Sequence, residues 1–442
     1  MSLFKLLKKI KKKTYFTTPS HSQKSPFLKE FSSWFKYDFS ELDGLDNLQN
    51  PKGVIRRAQS RISKIYKSKE SYILLNGSTS GIIAIMLAIL EAGDRVLVGR
   101  NAHKSVLNGL TLTGAIPDWI IPNYNENFGI YGEISPENIE NALKMNNYKA
   151  LIITSPTYEG VHSNIEEISR ICKQYGVYLI VDEAHGSLMN FSDKLGVPAI
   201  QLGADFSVNS LHKNAGAPNS IALFHIGQST DFDPEKFQNA LNLIQTTSPS
   251  YPMIAIAEET VLRLDSKSGR KMLDNLIKNI EKFEKKLEKY GVEFLSHTNR
   301  DFTKIVVKKQ GINSKTLAKI INEKFNIEDE IEEENSILYL TGVGTDNKKL
   351  QKLANVLKNA KIETFEEENE FEVEPTPIVK ISPKNAFKLE TTFVKKENAL
   401  HRISGATIMP YPPGRAILAK GELVQEWHMK YLDDYVEVIE NE

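Results

Sequence analysis

One lysine and one aspartate of the sequence lie where a reactive site would need them. Lys213 ends a segment, residues 206–213, that starts as a short apolar strand and continues as a loop. Asp182 follows an apolar strand over residues 176–181. A lysine becomes nucleophilic when burial or a neighbouring cation lowers its pKa, and a buried carboxylate can keep a pyridine nitrogen protonated. The two segments therefore predict a pyridoxal phosphate (PLP) site, in which Lys213 holds the cofactor as a Schiff base and Asp182 pairs with the pyridinium nitrogen.

Two further segments contain groups that such a cofactor needs. Gly77, Ser78 and Thr79 lie at the start of a predicted helix, where free amide groups favour an anion such as a phosphate. His103 follows another predicted strand, and its imidazole could stack on the cofactor ring. Taken singly, the first segment is also typical of a helix N-cap, and a lone histidine is more often structural. Four such pieces, each at the end of a predicted strand, favour the PLP site.

Strand and helix patterns alternate from residue 67 to residue 255, which we predict to be a PLP-binding domain. The strands are short and continuously apolar, which is typical of a parallel sheet buried on both faces. Helices are predicted over Ile82–Glu91 and Asn164–Tyr175. The predicted strands are Ser71–Leu75, Arg95–Val98, Tyr148–Thr154, the two strands that lead to Asp182 and Lys213, and Ser220–Ile226. Open α/β sheets bind ligands at the carboxyl ends of their strands, which is where the chemical groups lie.

The remaining chain divides into three parts. Residues 1–66 form a predicted arm, with aromatic clusters that need a covering surface and a helical period over Val54–Tyr66. Residues 256–374 form a predicted small α/β domain, whose clearest element is an amphipathic helix over Arg270–Tyr290. Residues 375–442 form a predicted C-terminal module.

Several other segments have an ordinary structural interpretation. The acidic clusters Glu328–Glu334 and Glu366–Glu374 are interpreted as solvated surface or linker. Gly342 and Gly344 predict a strand-to-helix turn, because a third glycine and a downstream acid are missing from the dinucleotide pattern. Cys172 lies on the apolar side of a predicted helix and is interpreted as a core residue.

The composition is that of an ordinary soluble chain of 442 residues with a formal net charge of zero, so it gives no reason to predict a nucleic-acid partner. A single cysteine excludes an internal disulfide and fits the reducing cytoplasm. No apolar run reaches the ~20 residues of a bilayer span. The basic segment Met1–Lys13 is expected to be solvated or to pack on a protein surface, with an anionic membrane as the alternative. We predict no metal site.

A set of motifs connects the sequence to a known family. They are Leu42–Leu48, Asn76–Gly81, Arg100–Ser105, Val181–Gly186, Ser210–Lys213, Thr246–Tyr251, Ile381–Pro383 and Pro410–Gly414. With them the sequence is similar to the fold-type I PLP enzymes and resembles the shorter bacterial members of the Orn/Lys/Arg decarboxylase family over nearly the whole chain. The resemblance implies an α/β large domain with a mostly parallel seven-stranded sheet, a smaller α+β domain and a C-terminal module. It also implies a homodimer with active sites at the subunit interface.

The resemblance further assigns roles around the cofactor. Lys213 would carry it, Asp182 would pair with its ring nitrogen, His103 would stack on one ring face and Ala184 would pack behind the other. The residues implied to hold the phosphate are Gly77, Ser78, Thr79, Ser210 and His212.

Other implied roles concern the partner subunit and the substrate. Thr247 and Ser248 would reach the active site of the partner subunit. Glu422 would bind the distal cation of the substrate. The sequence departs from the family pattern after the lysine, at Asn214–Ser220, and in the final motif, where Lys420 replaces a proline.

The implied activity is the PLP-dependent decarboxylation of lysine, ornithine or arginine to the corresponding amine. Two alternatives share the same lysine and aspartate: another fold-type I reaction such as transamination, and a PLP-binding protein without turnover. A requirement for a keto acid would distinguish the transaminase.

Overall fold

The computed structural model describes residues 1–25, 28–296, 299–333, 335–359, 374–409 and 415–440. A seven-stranded sheet lies at the centre of the large domain, and a short hairpin lies beside it. In chain order the strands of this part are β1 (Glu70–Leu74), β2 (Arg95–Gly99), β3 (Ile116–Ile120), β4 (Tyr124–Asn125), β5 (Ile130–Tyr131), β6 (Ala150–Thr154), β7 (Tyr178–Asp182), β8 (Phe206–Ser210) and β9 (Ala222–Ile226).

The strand order of the sheet is β1-β9-β8-β7-β6-β2-β3. The neighbours from β8 to β3 pair in parallel, as the apolar strands predict, whereas β9 is antiparallel to both β8 and β1. The eleven residues between β8 and β9 are too few for the crossover that a parallel neighbour requires. The sheet is therefore mostly parallel, and the loop after Lys213 turns back along it.

Helices cover both faces of the sheet. Up to residue 264 they are α1 (Leu3–Ile10), α2 (Ser32–Phe35), α3 (Val54–Tyr66), α4 (Gly77–Ile89), α5 (Lys104–Thr113), α6 (Pro136–Met145), α7 (Ile165–Tyr175), α8 (Leu211–Asn214), α9 (Pro234–Ile244) and α10 (Tyr251–Leu264). Alternate residues of β6 point to opposite faces, so Ile152 packs under α4, α5 and α9, and Leu151 and Ile153 pack under α6 and α7. Cys172 is buried in the second layer, which confirms its interpretation as a core residue.

The N-terminal helix α1 packs on its own chain. Leu3 and Leu7 are buried in one core with α3 and α10, and the Leu3 amide donates to Oε2 of Glu258 at 2.8 Å. Arg61 of α3 donates to the same carboxylate at 2.8 Å. The apolar face of α1 is thus occupied by protein, as the packed alternative for Met1–Lys13 predicts. Within the described ranges no helix is both long and apolar enough to cross a membrane.

A second sheet forms the small domain. Its elements are α11 (Lys267–Leu287), β10 (Val292–Phe294), β11 (Lys304–Lys309), α12 (Ser314–Phe325), β12 (Ile331–Glu332), β13 (Ile337–Leu340) and α13 (Asn347–Asn359). The strands are antiparallel in the order β10-β11-β13-β12. The amphipathic helix is confirmed as α11, and Gly291, with φ of 68°, ends the turn that follows it. Helix α10 continues through the boundary predicted at residue 255.

The C-terminal module contains α14 (Pro383–Phe387), β14 (Thr391–Lys395) and β15 (Tyr435–Ile439). The two strands form an antiparallel ribbon, and α14 packs against α5 of the large domain. Between β14 and β15 the chain approaches the large sheet, where the backbone of Arg415 pairs with that of His103. The motif Pro410–Gly414 lies outside the described residues.

Candidate active site

A cavity of about 890 Å³ opens at the carboxyl edge of the large sheet. Residues at or just beyond the ends of β1, β2, β6, β7 and β8 line it, and the small domain and the C-terminal module cover it. The sequence predicted a site at this edge. Eight of its site residues line the cavity: Gly77, Ser78, Thr79, His103, Asp182, Ala184, His212 and Lys213.

Lys213 lies in α8, the single helical turn that follows β8. Its Nζ lies 2.7 Å from Nε2 of His185. Burial lowers the pKa of the Lys213 ammonium to about 8; the Asp182 carboxylate opposes this shift, and the nearby Lys304 ammonium adds to it. A lysine with this pKa has a substantial neutral fraction near pH 7–8, so Lys213 can act as a nucleophile.

Asp182 is the last residue of β7 and is 4% exposed. One of its oxygens accepts the amide of Ala184 at 3.0 Å, which fixes the carboxylate at the strand end and turns Ala184 into the cavity. The negative charge also acts on its surroundings, because it opposes the lowering of the pKa of both Lys213 and His103. A buried carboxylate with its other oxygen available suits a protonated ring nitrogen.

His103 is the N-cap of α5, and its Nδ1 accepts the amide of Ser105 at 3.2 Å. Since Nδ1 accepts, the neutral ring carries its proton on Nε2. Burial lowers the pKa of His103, Asp182 opposes the shift, and the Lys213 charge adds to it. The ring is therefore held neutral in one orientation, as stacking on a flat cofactor requires.

The start of α4 forms a cradle for an anion. Gly77, with φ of 69°, adopts a left-handed conformation that other residues disfavour, and no side chain caps the first amides of the helix. Across the cradle, burial lowers the pKa of His212, whose Nδ1 lies 3.2 Å from the Ile221 carbonyl oxygen. The Ser210 hydroxyl is buried and has no hydrogen-bond partner among the residues that the structure describes. The uncapped start of α4, where Gly77, Ser78 and Thr79 line the cavity, fits a cofactor phosphate. Ser210, in contrast, does not line the cavity.

The segment that departs from the family pattern forms a wall of this site. The Asn214 side-chain amide donates to the His185 carbonyl at 3.1 Å, and its Oδ1 accepts a hydrogen bond from the Ser187 hydroxyl. At the far end of the segment, the Ser220 carbonyl accepts the Gly77 amide at 2.7 Å, and Asn219 and Ser220 line the cavity. The altered residues thus support the cradle from behind.

His185 contacts the lysine but was not assigned a role from the sequence. It is fully buried between Lys213 and Lys304, whose Nζ donates to the His185 carbonyl at 3.2 Å. Burial and the two ammonium charges lower the pKa of His185 well below its usual value, so the ring is neutral. The signal was its position three residues after Asp182, which places it in the turn that follows β7.

The interpretation of the acidic cluster Glu328–Glu334 as solvated surface or linker is partly wrong. Glu330, Glu332 and Glu333 line the cavity, and Glu159 of the loop after β6 joins them. The side chains of Glu159 and Glu333 are hydrogen-bonded, and burial raises the pKa of Glu159. Their sequence signal is that of solvated charge, and only the packing of β12 against the large domain brings them inside.

The last residue of the second acidic cluster also departs from its predicted role. Glu374 is 5% exposed and accepts from Arg415 at 2.6 Å and from the hydroxyls of Tyr131 and Tyr431 at 3.0 and 3.1 Å. The rest of that cluster lies outside the described residues. Arg415 therefore reaches the cavity with its charge already paired.

The structure does not bring Glu422 into the cavity. Its carboxylate is 1% exposed and accepts two hydrogen bonds from Arg100, at 2.8 and 2.9 Å, and the Ala419 amide at 2.7 Å. The Arg100 guanidinium also stacks on Trp119 at 4.6 Å. Glu422 is thus the anion of a buried pair that ties the C-terminal module to the end of β2.

Thr247 and Ser248 lie apart from the cavity of their own chain. Both are exposed on the loop between α9 and α10. Their predicted role toward a partner subunit remains a prediction.

The sheet order, the lysine after β8 and the aspartate at the end of β7 define a fold-type I PLP enzyme fold, which the solved structures of similar fold share. Within that class, the chain belongs to the Orn/Lys/Arg decarboxylase family. The family model described as "Orn/Lys/Arg decarboxylase, major domain" matches residues 2–307. This confirms the resemblance inferred from the motifs.

Relatives of similar length are known. The uncharacterized protein YaaO of Bacillus subtilis is 30% identical over 92% of this chain and 88% of its own. An arginine decarboxylase of Bacillus anthracis is 28% identical over 94% of this chain and 89% of its own. The lysine decarboxylase LdcF of Francisella novicida has a similar fold, with a TM-score of 0.85 and 21% identity over 99% of this chain and 81% of its own.

Proposed function

We propose that this protein catalyses the PLP-dependent decarboxylation of a basic amino acid. One observation carries the proposal: a single cavity is lined by Lys213, Asp182 and His103 and also by four glutamates, Glu159, Glu330, Glu332 and Glu333. The first group fits the cofactor, and the second group fits a substrate with a second positive charge. Membership of the decarboxylase family supports the reaction type.

The residues at the sheet edge would hold the cofactor. Lys213 would link to it covalently, Asp182 would hold the proton of its ring nitrogen, and the neutral His103 would cover one face. Its phosphate would lie at the start of α4, near Ser210 and His212. When bound, PLP supplies an electron sink for the pair left behind as CO₂ departs.

The residues around Lys213 would accept and return the protons that the reaction moves. Its lowered pKa leaves part of the population uncharged at neutral pH, and the neutral His185 at 2.7 Å can accept the proton that the ammonium releases. The Lys304 ammonium on the far side disfavours a second positive charge on His185. A proton taken up there is therefore readily returned, as a step that ends in protonation of the product requires.

The substrate class follows from the acidic end of the cavity and from the relatives. Four carboxylates line that end, and similar proteins are named arginine decarboxylase and lysine decarboxylase. The proposal therefore covers the basic amino acids lysine, ornithine and arginine.

The test is a search for amine product by mass spectrometry. PLP-loaded protein would be incubated with each common amino acid and no keto acid, beside a Lys213→Ala control. A diamine or agmatine from the unaltered protein, absent from the control, is the expected result. Product formation that requires a keto acid would indicate transamination, and cofactor bound to Lys213 without product from any amino acid would leave a PLP-binding protein without turnover.

We also propose that the protein acts as a cytoplasmic homodimer, with Thr247 and Ser248 of each chain reaching the active site of the partner subunit. Both side chains are exposed and lie apart from the cavity of their own chain, so they are available to a partner. The family resemblance of the Thr246–Tyr251 motif supports this assignment.

A further inference from the structure

The acidic end of the cavity contains one carboxylate held by a tyrosine. The hydroxyl of Tyr158, in the loop after β6, donates to Oε1 of Glu330, which directly precedes β12 of the small domain. Both residues line the cavity and are half-buried. The Glu330 side chain is thereby fixed in a position that its own segment would not impose.

Tyr158 lies between this carboxylate and the reactive lysine. The Lys213 Nζ is 5.6 Å from the centroid of the Tyr158 ring, and the ring packs against that of His185 with centroids 4.3 Å apart. Glu330 is close enough for its charge to oppose the lowering of the Lys213 pKa by burial. A ligand whose amine takes the place of Lys213 can therefore run along the tyrosine ring and end at Glu330.

The charge balance at this end favours a cation. The carboxylates that line the cavity are Asp182, Glu159, Glu330, Glu332 and Glu333, and the lysines and arginines that line it are Lys213, Lys315 and Arg415, of which Arg415 is already paired with Glu374. Faces of tyrosine rings also attract cations. A cationic group entering the cavity meets more negative charge than positive.

Among these acids, Glu330 is the best placed to bind that cation. Glu159 and Glu333 are hydrogen-bonded to each other, so each already has a partner, and burial raises the pKa of Glu159, which disfavours negative charge on that carboxyl. Glu332 is exposed at the rim. Glu330 combines a fixed orientation with a position across one aromatic ring from Lys213.

We propose that Glu330 binds the distal cationic group of the substrate, and that Tyr158 positions Glu330 while its ring packs along the aliphatic part of the substrate. The inference rests on the proposed function, because it names the part of that site that selects basic amino acids.

Binding of a diamine separates this inference from turnover. Isothermal titration calorimetry on PLP-loaded protein would compare 1,5-diaminopentane with pentylamine, which has no distal charge and, like the diamine, cannot be decarboxylated. The unaltered protein should prefer the diamine. Glu330→Gln should weaken diamine binding about tenfold or more, as expected for loss of a charged hydrogen-bond partner, and leave pentylamine binding unchanged.

Two further variants sharpen the test. Tyr158→Phe keeps the carboxylate but removes the hydroxyl that holds it, and should weaken diamine binding by a smaller factor. Glu328→Gln is the matched control, because Glu328 is exposed, lies two residues away and does not line the cavity; it should bind both amines as the unaltered protein does.

The outcomes are distinct. Equal affinity of the unaltered protein for diamine and monoamine, or unchanged diamine binding by Glu330→Gln with a normal thermal melt, would overturn the inference even if decarboxylation is observed. Should Glu330→Gln fail to fold, unchanged diamine binding by Tyr158→Phe would decide against it. Failure of the proposed function shows differently, as absence of amine product from every amino acid.

Discussion

At the scale of single residues, the proposed reaction would depend on proton transfer between Lys213 and His185. The lysine needs to lose a proton before it can attack an aldehyde, and the neighbouring histidine is neutral and in direct contact. The two cations Lys213 and Lys304 and the burial of the ring all act against protonation of His185. His185 is thus suited to hold a proton only transiently.

Replacing His185 should slow covalent capture of the cofactor. His185→Gln removes the imidazole acceptor beside Lys213, and loss of a positioned base typically costs 10²-fold or more, so we expect a decrease of about 10²-fold in the capture rate. Stopped-flow absorbance of PLP mixed with cofactor-free protein measures that rate without turnover.

The control for this variant is His225→Gln. His225 is also buried. Its Nδ1 lies 2.7 Å from the Ser71 hydroxyl oxygen, but the residue does not line the cavity. Its replacement should alter thermal stability and not the capture rate. An unchanged rate in His185→Gln would show that His185 only fills space.

A second residue, Glu183, should make stability depend on pH. Burial raises its pKa to about 8 from the ordinary 4.5, and the adjacent Asp182 charge adds to the shift; the Ala199 amide, which donates to it at 2.5 Å, opposes it. Between these pH values the folded protein keeps a proton that the unfolded chain releases. The contribution of Glu183 to the free energy of unfolding is therefore complete below about pH 4.5 and is lost as the pH rises toward 8.

Glu183→Gln should remove that loss. In the unaltered protein this group should lower the free energy of unfolding by roughly 2 kcal/mol between pH 6 and pH 8, whereas the variant, which cannot ionise, should lack this contribution. Urea unfolding followed by circular dichroism at both pH values measures it. Equal pH dependence in the two proteins would mean that Glu183 is already ionised at pH 6.

At the scale of elements, the C-terminal module is held to the sheet by a buried ion pair. Arg100 follows β2, Glu422 lies in the C-terminal module, and both are almost fully buried. The same region carries Arg415 to the cavity and pairs its backbone with His103. Glu422 therefore acts on the site through the placement of these neighbours.

Glu422→Gln should affect stability more than substrate binding. It leaves the buried Arg100 guanidinium without its anion, which typically costs about 3–5 kcal/mol, while the acidic end of the cavity stays intact. Chemical unfolding and calorimetric titration with 1,5-diaminopentane measure the two quantities, and Glu426→Gln, an exposed carboxylate of the same module, is the control. Unchanged stability together with lost diamine binding would show that Glu422 belongs to the substrate site.

At the scale of the whole molecule, the proposed dimer can be tested by complementation. If Thr247 and Ser248 serve the partner subunit's site, a dimer of one Lys213→Ala chain and one Thr247→Ala/Ser248→Ala chain contains one intact site. Each variant alone should be impaired, and a remixed sample should recover roughly a quarter of the unaltered activity, because half the dimers are mixed and each has one intact site. Full activity of the double variant, or no recovery on mixing, would contradict the shared site.

The sequence predicted the residues at the lysine end of the cavity because their signals are local. Lys213, Asp182, His103 and Gly77 each follow a short apolar run, and parallel strands bring their carboxyl ends to one edge, so correct strands imply neighbouring residues. Helices α3 and α11 were found for a similar reason, since their apolar periodicity is contained within one segment. The reversal of β9 was missed, because apolar runs do not record strand direction.

Only the tertiary structure decided which charged residues are buried and which partners they have. Glu330 is hydrogen-bonded to Tyr158, 172 residues away in the sequence, and Glu422 to Arg100, 322 residues away. The sequence around neither glutamate indicates its partner. In sequence, a glutamate among charged neighbours predicts solvated surface. Burial becomes tolerable only when a distant cation or hydroxyl pairs with the carboxylate. The packing of the small domain and the C-terminal module on the sheet, rather than the local pattern, therefore selects which carboxylates line the cavity.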